Sequence, residues 1–570
     1  MERSAIEHIS ESIYSHPISN NEVEIRLRTK LNDDIKKVEL LYNDKFKFHM
    51  GVKVKEITKT VSDDYFTYFV TTLKLKDKRL AYIFKITTLK NRVFYFSESG
   101  VSEDYDYTKG YLDFFHLPYI NESDVIKVHK KFQNRVVYQI FVDRFNKSKD
   151  NDNPKINISW GEAITPTSLA GGNLKGIKEK LDYLQELGID ALYLTPISKA
   201  NTNHKYDTVD YFKVDSDFGD EVELKKLVNE LHKRKMIIIL DGVFNHIAIN
   251  NPLFVDVINK GKDSPYYKWF FIHGNKVDLN KVNYETFAYT RYMPRLNLNN
   301  KEVQDYILNV ALYYIDKFKI DGYRLDVSDE VPHSFWARFN IELRKANKDV
   351  VILGENWHNA SAFLNSGFEF HSIMNYSINK ELLNYIAWEK YSALNFKNRV
   401  VSDLMRYKTN VNYNLMNLVS SHDVARFLTL CNEDEDKLLM GYAFIFMHIG
   451  IPCIYYGDEI GMNGKGDPDC RKCFEWDVTK WNYKVLKAIK LLIKYHKEEK
   501  INERDYQIDV INDMVTVTRK NKESTLVLYL NLSGDTKNIP IFGKPLVGNK
   551  YNDFRLENKG FVLIKQDLDI

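Results

Sequence analysis

The sequence predicts an α/β protein in which a (β/α)8 barrel lies between an N-terminal β-sandwich and a C-terminal antiparallel β domain. Between residues 136 and 457, eight short apolar runs alternate with longer amphipathic segments. Parallel strands that are covered on both faces need continuous apolar runs, and eight of them within roughly 350 residues favour a barrel over an open sheet. No G-x-G-x-x-G or Walker pattern opens a helix, which weakens a nucleotide-binding alternative.

The barrel elements can be placed along the chain from these periodicities. The predicted strands cover residues 136–142, 191–195, 237–243, 322–327, 350–356, 372–376, 416–422 and 451–457. Helical spacing is found between several of them, at 174–187, 222–234, 303–318, 335–345 and 438–448. Gly188 follows the first of these helices as a stop signal.

Both flanks of the barrel are rich in strand signals. Branched and aromatic residues alternate or cluster between polar turns at 22–28, 37–42, 65–73 and 80–87, as in a small sandwich. After a helical stretch at 482–496, strand patterns return in the last ~65 residues. We therefore predict a β-sandwich at 1–125, a barrel at 126–500 with an inserted loop domain at about 247–300, and a β domain at 501–570.

Composition excludes several classes of function. The net charge of the 570 residues is only +3, and acidic and basic residues are mixed, so no nucleic-acid partner is expected. The longest apolar stretch, 442–456, falls short of the ~18 residues of a membrane helix. The segment MERSAIEHISESIY has no apolar run, so no signal peptide is expected. With only four cysteines and a lone CxxC at Cys470 and Cys473, the predicted compartment is the cytoplasm.

Unusual polar residues stand at the carboxyl ends of the predicted strands, where barrels carry their chemistry. A lone acid there is often a helix cap, but a set of acids, an arginine and histidines on different strands does not resemble capping. The set is Asp241, Asn245 and His246 after the third strand, Arg324 and Asp326 on the fourth, Glu355 on the fifth, and His422 and Asp423 on the seventh.

These residue types point to a reaction. Several converging carboxylates, without cysteine or a histidine cluster, fit glycosidic cleavage. One acid must stay protonated to serve the leaving oxygen, while another must stay ionised. Arg324 stands two positions before Asp326 on one strand, so it points to the same face and can keep Asp326 ionised.

Four segments resemble the signature segments of the alpha-amylase superfamily of glycoside hydrolases, in the same order and on the same strands. They are DGVFNH (241–246), GYRLDVSDE (322–330), GENWH (354–358) and VSSHD (419–423). Further stretches are similar to the neopullulanase, cyclomaltodextrinase and maltogenic amylase subgroup. These are MPRLN (293–297), residues 192–212, residues 455–472, and the β-rich start with YNDKF (42–46) and RLAYIF (79–84).

The resemblance implies a role for each matching residue. Asp326 would be the nucleophile, Glu355 the general acid/base, and Asp423 the carboxylate that binds sugar hydroxyls. The residues implied to contact sugar are Tyr206, which would stack beneath the ring, His246 and His422, which would donate hydrogen bonds, Arg324, which would orient Asp326, and Glu330, Trp357 and Arg426, near the neighbouring sugars. Structural roles are implied for Asp241, Asn245, Asp458 and Glu459.

The subgroup often binds calcium in the loop after the first strand. Asn146, Asn151 and Asp152 match that site, but Ser148 and Asn173 stand where acids are common. Calcium prefers carboxylates, so a weakened calcium site is expected and no cofactor is required. Asn356 also departs from the family pattern, which has an apolar residue at this position.

The expected function is retaining hydrolysis of α-1,4 links in cyclodextrins, maltooligosaccharides or pullulan, and the sequence leaves open whether α-1,6 links are cleaved too. Two alternatives stay open from the sequence. One is a transglycosylase or a sucrose- or trehalose-converting relative, because sugar can intercept the same covalent intermediate. The other is an inactive sugar-binding or transporter-associated subunit, which the complete carboxylate set disfavours. The subgroup also implies a homodimer.

Overall fold

The computed structural model describes residues 1–105, 113–540 and 543–567. The chain divides into two units. Unit one comprises Met1–Val128, Leu364–Gly367 and Tyr391–Tyr413, and unit two comprises His129–Phe363, Phe368–Lys390 and Asn414–Ile570.

The described helices are α1 (Val142–Phe145), α2 (Leu174–Glu179), α3 (Leu181–Leu187), α4 (Glu221–Lys233), α5 (Pro252–Lys260), α6 (Lys301–Phe318), α7 (His333–Ala346), α8 (Ser361–Leu364), α9 (Tyr376–Leu382), α10 (Ala393–Met405), α11 (Thr409–Asn412), α12 (Phe427–Leu430), α13 (Glu435–Met447) and α14 (Tyr483–Glu498).

Unit one contains two antiparallel sheets, ordered β1-β2-β6-β5 and β4-β3-β7-β8-β9, with β10 paired to β7. Alternate residues such as Val23 and Ile25 on one sheet and Tyr82 and Phe84 on the other share one core, as in a sandwich. The strands are β1 (Ser15–Ser19), β2 (Glu22–Lys30), β3 (Lys37–Asn43), β4 (Lys53–Glu56), β5 (Lys59–Ser62), β6 (Phe66–Lys74), β7 (Leu80–Thr87), β8 (Val93–Ser97), β9 (Gly100–Ser102) and β10 (Phe115–Leu117).

The segment Tyr391–Tyr413 belongs to unit one although it lies within the stretch assigned to the barrel from sequence. Arg26 of β2 is buried, and its guanidinium donates to Tyr407 O at 3.0 Å and to Thr409 Oγ1 at 2.8 Å. Glu24 neutralises Arg26 at 2.8 Å and accepts from Thr409 at 2.7 Å. This buried network holds α11 on β2, and no local sequence pattern predicts it.

Unit two contains the predicted barrel. Its eight parallel strands are ordered β18-β17-β16-β15-β12-β11-β20-β19, and a bridge between Met374 and Met416 links the two ends. A short antiparallel pair, β13 and β14, follows the second barrel strand. The strands are β11 (Val137–Ile140), β12 (Ala191–Leu194), β13 (Ser198–Ala200), β14 (Thr208–Val214), β15 (Ile237–Gly242), β16 (Gly322–Leu325), β17 (Val351–Gly354), β18 (Ser372–Ile373), β19 (Met416–Asn417) and β20 (Ile451–Tyr455).

The apolar runs and helix signals explain these elements. Every residue of β11, β12, β16 and β17 is buried, as continuous apolar runs predict. Helix α4 begins after Asp220, whose carboxylate accepts from Glu223 N at 2.8 Å, and it buries Leu224 and Leu231. The helix expected at 174–187 is instead two helices that meet at Lys180.

The C-terminal part of unit two forms an antiparallel sheet ordered β21-β22-β23-β26-β24, with β25 paired to β26. The predicted fold class is thus confirmed in all three parts. Within the described residues, every helix is too short or too polar to cross a lipid bilayer. The strands are β21 (Asp505–Ile511), β22 (Met514–Lys520), β23 (Ser524–Asn531), β24 (Lys537–Asn538), β25 (Lys544–Asn552) and β26 (Arg555–Asp567).

Candidate active site

Arg324 lies on β16, is fully buried, and contacts four carboxylates. Its Nη1 donates to Asp326 Oδ1 at 2.7 Å and to Asp241 Oδ1 at 2.9 Å. Its Nη2 lies 3.0 Å from Glu355 Oε2 and 3.7 Å from Asp423 Oδ2. Side chains from β15, β16, the end of β17 and the loop after β19 therefore converge on one cation at the carboxyl end of the barrel.

Glu355 is held by two donors. Val327 adopts a left-handed conformation, with φ of 47°, and its N–H donates to Glu355 Oε2 at 2.9 Å. A β-branched residue rarely takes this conformation, so the strain is retained where it orients a carboxylate. The Trp357 Nε1–H donates to Glu355 Oε1 at 3.0 Å, and its ring stacks on Tyr376 at 3.9 Å between centroids. Trp357 stays 41% exposed, so it can also meet a ligand.

Two side chains lie close to the Asp423 carboxylate, that of the preceding residue, His422, and that of Arg471. Its Oδ1 lies 3.3 Å from His422 Nε2 and 3.7 Å from Arg471 Nη2. The Arg471 Nε donates to the His422 carbonyl oxygen at 2.8 Å and so also fixes the loop backbone. Arg471 was not singled out from the sequence, although it lies in the GDPDCRK stretch that resembles the subgroup.

A chain of hydrogen bonds links the first strand to Asp241. The Gln139 Nε2 donates to His422 Nδ1 at 2.6 Å, so the neutral ring carries its proton on Nε2. His422 Nε2 lies 2.5 Å from Tyr206 Oη, which in turn donates to Asp241 Oδ2 at 2.8 Å. Tyr193 donates to the same oxygen at 2.7 Å. Asp241 therefore orients Tyr206 and Arg324, consistent with the structural role expected for it.

Burial sets the protonation of the site. It lowers the pKa of His246 to about 3 and the pKa of His422 well below its usual value, so both rings are neutral. It raises the pKa of Asp326 and Asp423, while the Arg324 charge opposes that rise. Burial likewise raises the pKa of Asp241 to about 6. Because Asp241, Asp326 and Asp423 surround one guanidinium, the protonation of each depends on that of the others.

The segment between β15 and α6 places an aromatic ring on a site residue, a contact that the sequence did not predict. Phe287 stacks on the buried His246 ring with centroids 4.7 Å apart, and nearby Tyr289 is fully exposed. Arg295, in MPRLN, donates from Nε to Asn245 Oδ1 at 3.3 Å and from Nη2 to the Glu330 carbonyl oxygen. MPRLN thus braces the loop after β15 against the loop that carries Glu330.

The structure brings nearly all the expected residues to this end of the barrel. It does not support the sugar contact that was expected of Arg426. Its side chain is fully buried, and Nη1 donates to Asp458 Oδ1 at 2.7 Å and to Tyr456 O at 2.8 Å. The guanidinium also lies 4.4 Å from the centroid of Tyr455. Because the buried Asp458 carboxylate needs a cation, Arg426 has a structural role in the barrel, and its guanidinium is not exposed to a sugar.

The loop after β11 is closed by its own hydrogen bonds. The side-chain amides of Asn146 and Asn151 donate to Gly176 O at 3.0 Å and Gly171 O at 2.6 Å. Lys175 pairs with Asp150, and Asp152 is exposed. Across the described residues, no group of three His, Cys, Asp or Glu is arranged to hold a metal. Calcium prefers several carboxylates, so this donor set fits it poorly.

Two protein-family models match this chain. A family model described as "Alpha amylase, catalytic domain" matches residues 139–522, and one described as "Alpha amylase, N-terminal ig-like domain" matches residues 1–121. The chain belongs to the α-amylase family. The resemblance stated from the four signature segments is confirmed, and so is the glycoside hydrolase class of this α-amylase-family enzyme.

Curated relatives and a solved structure agree with the subgroup. The enzyme is 38% identical over 537 residues to a cyclomaltodextrinase of Thermoanaerobacter pseudethanolicus, covering 94% of this chain and 93% of the relative. It is 38% identical over 541 residues to an intracellular maltogenic amylase of Bacillus subtilis (93% and 91% covered) and 36% identical over 544 residues to neopullulanase 2 of Thermoactinomyces vulgaris (94% and 92% covered). A solved cyclomaltodextrinase structure superposes with a TM-score of 0.90 at 32% identity, covering 100% of this chain and 98% of that one.

Proposed function

We propose that this enzyme is a retaining hydrolase that cleaves α-1,4, and also α-1,6, glucosidic bonds in cyclodextrins, maltooligosaccharides or pullulan. The observation that carries the proposal is the contact of one guanidinium, Arg324, with Asp326, Glu355 and Asp423. This arrangement draws the carboxyls together, as a retaining mechanism needs for a nucleophile and an acid/base about 5 Å apart. The names of the cyclomaltodextrinase, maltogenic amylase and neopullulanase relatives support the substrate class.

In the first step, ionised Asp326 attacks the anomeric carbon while Glu355 gives its proton to the glycosidic oxygen. The C–O bond to the leaving sugar breaks, and an ester forms between Asp326 and the remaining sugar. The Arg324 contact at 2.7 Å favours the carboxylate form of Asp326. In this scheme Glu355 is the proton donor, and Val327 N–H and Trp357 Nε1–H hold its two oxygens in place.

In the second step, Glu355 takes a proton from water as the water oxygen attacks the anomeric carbon. The ester bond to Asp326 breaks, which regenerates the carboxylate and releases a sugar with its original configuration. If a hydroxyl of another sugar attacks in place of water, the same bonds break and the result is transglycosylation. Whether water or sugar reacts depends on the space and hydration at the exposed rim near Trp357.

The remaining residues position the cleaved sugar. Asp423 accepts hydrogen bonds from its hydroxyls, the neutral ring of His246 donates to others, and the His422 Nε2–H holds Tyr206 in place. Tyr206, held by Asp241, presents its ring face to the sugar. Trp357 and Glu330 lie toward the neighbouring sugars, Trp357 with an exposed ring and Glu330 at the rim.

A product profile tests this function. We expect kcat/KM for β-cyclodextrin to exceed that for soluble starch by roughly tenfold or more, with pullulan also cleaved, because small or cyclic glucans suit the proposed substrate class. Initial rates and chromatography of the products give the measurement. Raising the acceptor sugar concentration shows how much covalent intermediate goes to transfer. A preference for starch over β-cyclodextrin would refute the substrate assignment.

We further propose that the enzyme works in the cytoplasm as a homodimer. One relative is named an intracellular maltogenic amylase, and all four cysteines of this chain are buried free thiols, as suits a reducing compartment. The homodimer rests on the resemblance to the subgroup. Sedimentation at micromolar concentration should give twice the mass of one chain, and a monomer mass would count against the dimer.

We also propose that activity requires no cofactor and that calcium binds only weakly at the loop of Asn146, Asn151 and Asp152. The expected result is that EDTA changes kcat for β-cyclodextrin by less than about twofold. The melting temperature should also stay unchanged when calcium is restored. Loss of activity in EDTA that calcium alone reverses would show a functional site and overturn this proposal.

A further inference from the structure

A cavity of about 440 Å³ lies at the amino-terminal end of the barrel strands, opposite the carboxylates around Arg324. The segments that precede β11, β12 and β15 form its wall, together with the end of α14. One lining residue, Asp190, is acidic, and six are basic: Lys130, Lys131, Arg135, Arg234, Lys235 and Lys497. The whole chain carries a net charge of only +3, so this is a local concentration of positive charge.

Half of these cations are neutralised by carboxylates within the protein. Each is a close ion pair, and these three cations add little net charge to the cavity. The pairs are Lys131 with Asp321 at 2.5 Å, Arg234 with Asp182 at 2.8 Å, and Lys497 with Asp190 at 2.7 Å.

The other three cations, Lys130, Arg135 and Lys235, have no carboxylate within 4.0 Å in the part of the chain that the structure describes. Arg135 is fixed by backbone oxygens: Nε donates to Lys131 O at 2.6 Å, and Nη1 donates to Asp190 O at 2.8 Å and Lys235 O at 2.9 Å. These carbonyls hold the guanidinium in place without neutralising it. Three like charges that face one cavity repel each other, and a bound anion would relieve that repulsion.

The dipoles of the helices that end at this cavity explain only some of its six basic residues. Helices α3 and α4 end here, and basic residues at helix C-termini offset the helix dipole. That explains Arg234, at the end of α4, and Lys497, in the last turn of α14. It does not explain Lys130 and Arg135, which precede β11 and end no helix.

We propose that this cavity binds a small phosphate-bearing anion, with Arg135 as the fixed donor and Lys130 and Lys235 as exposed cations. A preorganised guanidinium suits phosphate oxygens, and lysines supply further charge. The volume falls in the range of small-molecule sites and admits a ligand with more than one phosphate group. Since it lies at the other end of the barrel, such a ligand takes no part in glycosidic cleavage.

Calorimetric titration of the full chain with sodium tripolyphosphate and with inorganic phosphate, at constant ionic strength, tests the site. We expect one saturable tripolyphosphate site with a Kd of about 1 mM or lower, and weaker binding of inorganic phosphate. The double variant Lys130→Gln/Lys235→Gln should weaken tripolyphosphate binding by roughly tenfold or more. The control Lys487→Gln/Lys490→Gln removes the same charge from exposed positions of α14 outside the cavity and should leave Kd within about twofold.

Three results would overturn the proposal. One is no saturable binding of tripolyphosphate up to about 10 mM. Another is an equal loss in both double variants, which would mean general attraction to surface charge. The third is tighter binding of a short DNA or RNA oligonucleotide that depends on its length, which would assign the surface to nucleic acid. Melting curves and β-cyclodextrin hydrolysis, unchanged in both variants, establish that each is folded.

Discussion

Replacing Asp326 with asparagine should lower kcat/KM for β-cyclodextrin by about 10⁴-fold or more, with little change in stability. The amide keeps the size of the side chain but cannot form the ester, and the Arg324 contact retains an oxygen acceptor. Steady-state hydrolysis and thermal melting give the two measurements. Full activity in Asp326→Asn would remove Asp326 from the mechanism.

Azide rescue separates the nucleophile from the acid/base. In Asp326→Gly, azide can attack from the vacated side and give a glycosyl azide of inverted configuration. In Glu355→Gly, an aryl glycoside, whose leaving group departs without a proton, still forms the ester, so azide should give the product of retained configuration. NMR of the anomeric proton distinguishes the two. The opposite assignment of the products would exchange the roles of Asp326 and Glu355.

Replacing Arg324 with methionine should cost about 3–5 kcal/mol in the free energy of unfolding at neutral pH, because it leaves buried carboxylates without their cation. Activity should fall by about 10³-fold or more, since Asp326 and Glu355 lose their common contact. Burial already raises the pKa of Asp241 to about 6, and losing the cation raises it further. Carboxylates that take up protons carry no charge, so the stability deficit should shrink as the pH falls.

A double variant controls for packing. If uncompensated charge causes the loss, Arg324→Met/Asp241→Asn should recover part of the stability that Arg324→Met loses. Urea unfolding of the four combinations gives the coupling free energy. Additive losses, together with a deficit independent of pH, would show that the cost comes from shape and not from charge.

Much of the barrel could be predicted because its signals are local. Continuous apolar runs identified all eight strands, and the acids of the signature segments lie at the strand ends where the structure gathers them around Arg324. The position of Arg324 two residues before Asp326 was enough to predict their contact. Most predictions that rest on periodicity or on neighbouring positions succeeded, although the single helix expected at 174–187 is two helices.

The rest depends on contacts between distant residues. The resemblance to the subgroup implied a sugar contact for Arg426, but its guanidinium binds a buried partner, Asp458, that is distant in sequence. The segment Tyr391–Tyr413 has ordinary helical spacing, and contacts with distant residues, among them the hydrogen bonds to Arg26, place it in unit one. Phe287 belongs to an irregular loop, where no periodicity indicates that its ring covers His246.

The Phe287 ring over His246 comes from a different part of the chain than the groups that make and break bonds. The bond-making groups Asp326 and Glu355 stand at the ends of β16 and β17, whereas Phe287 and the exposed Tyr289 come from a surface excursion between β15 and α6. That excursion rejoins the barrel through the bridge between His246 and Arg295. We expect that exchanging it for the corresponding stretch of a relative, with the bridge kept, changes the ratio of initial rates on β-cyclodextrin and soluble starch and leaves the chemical step intact.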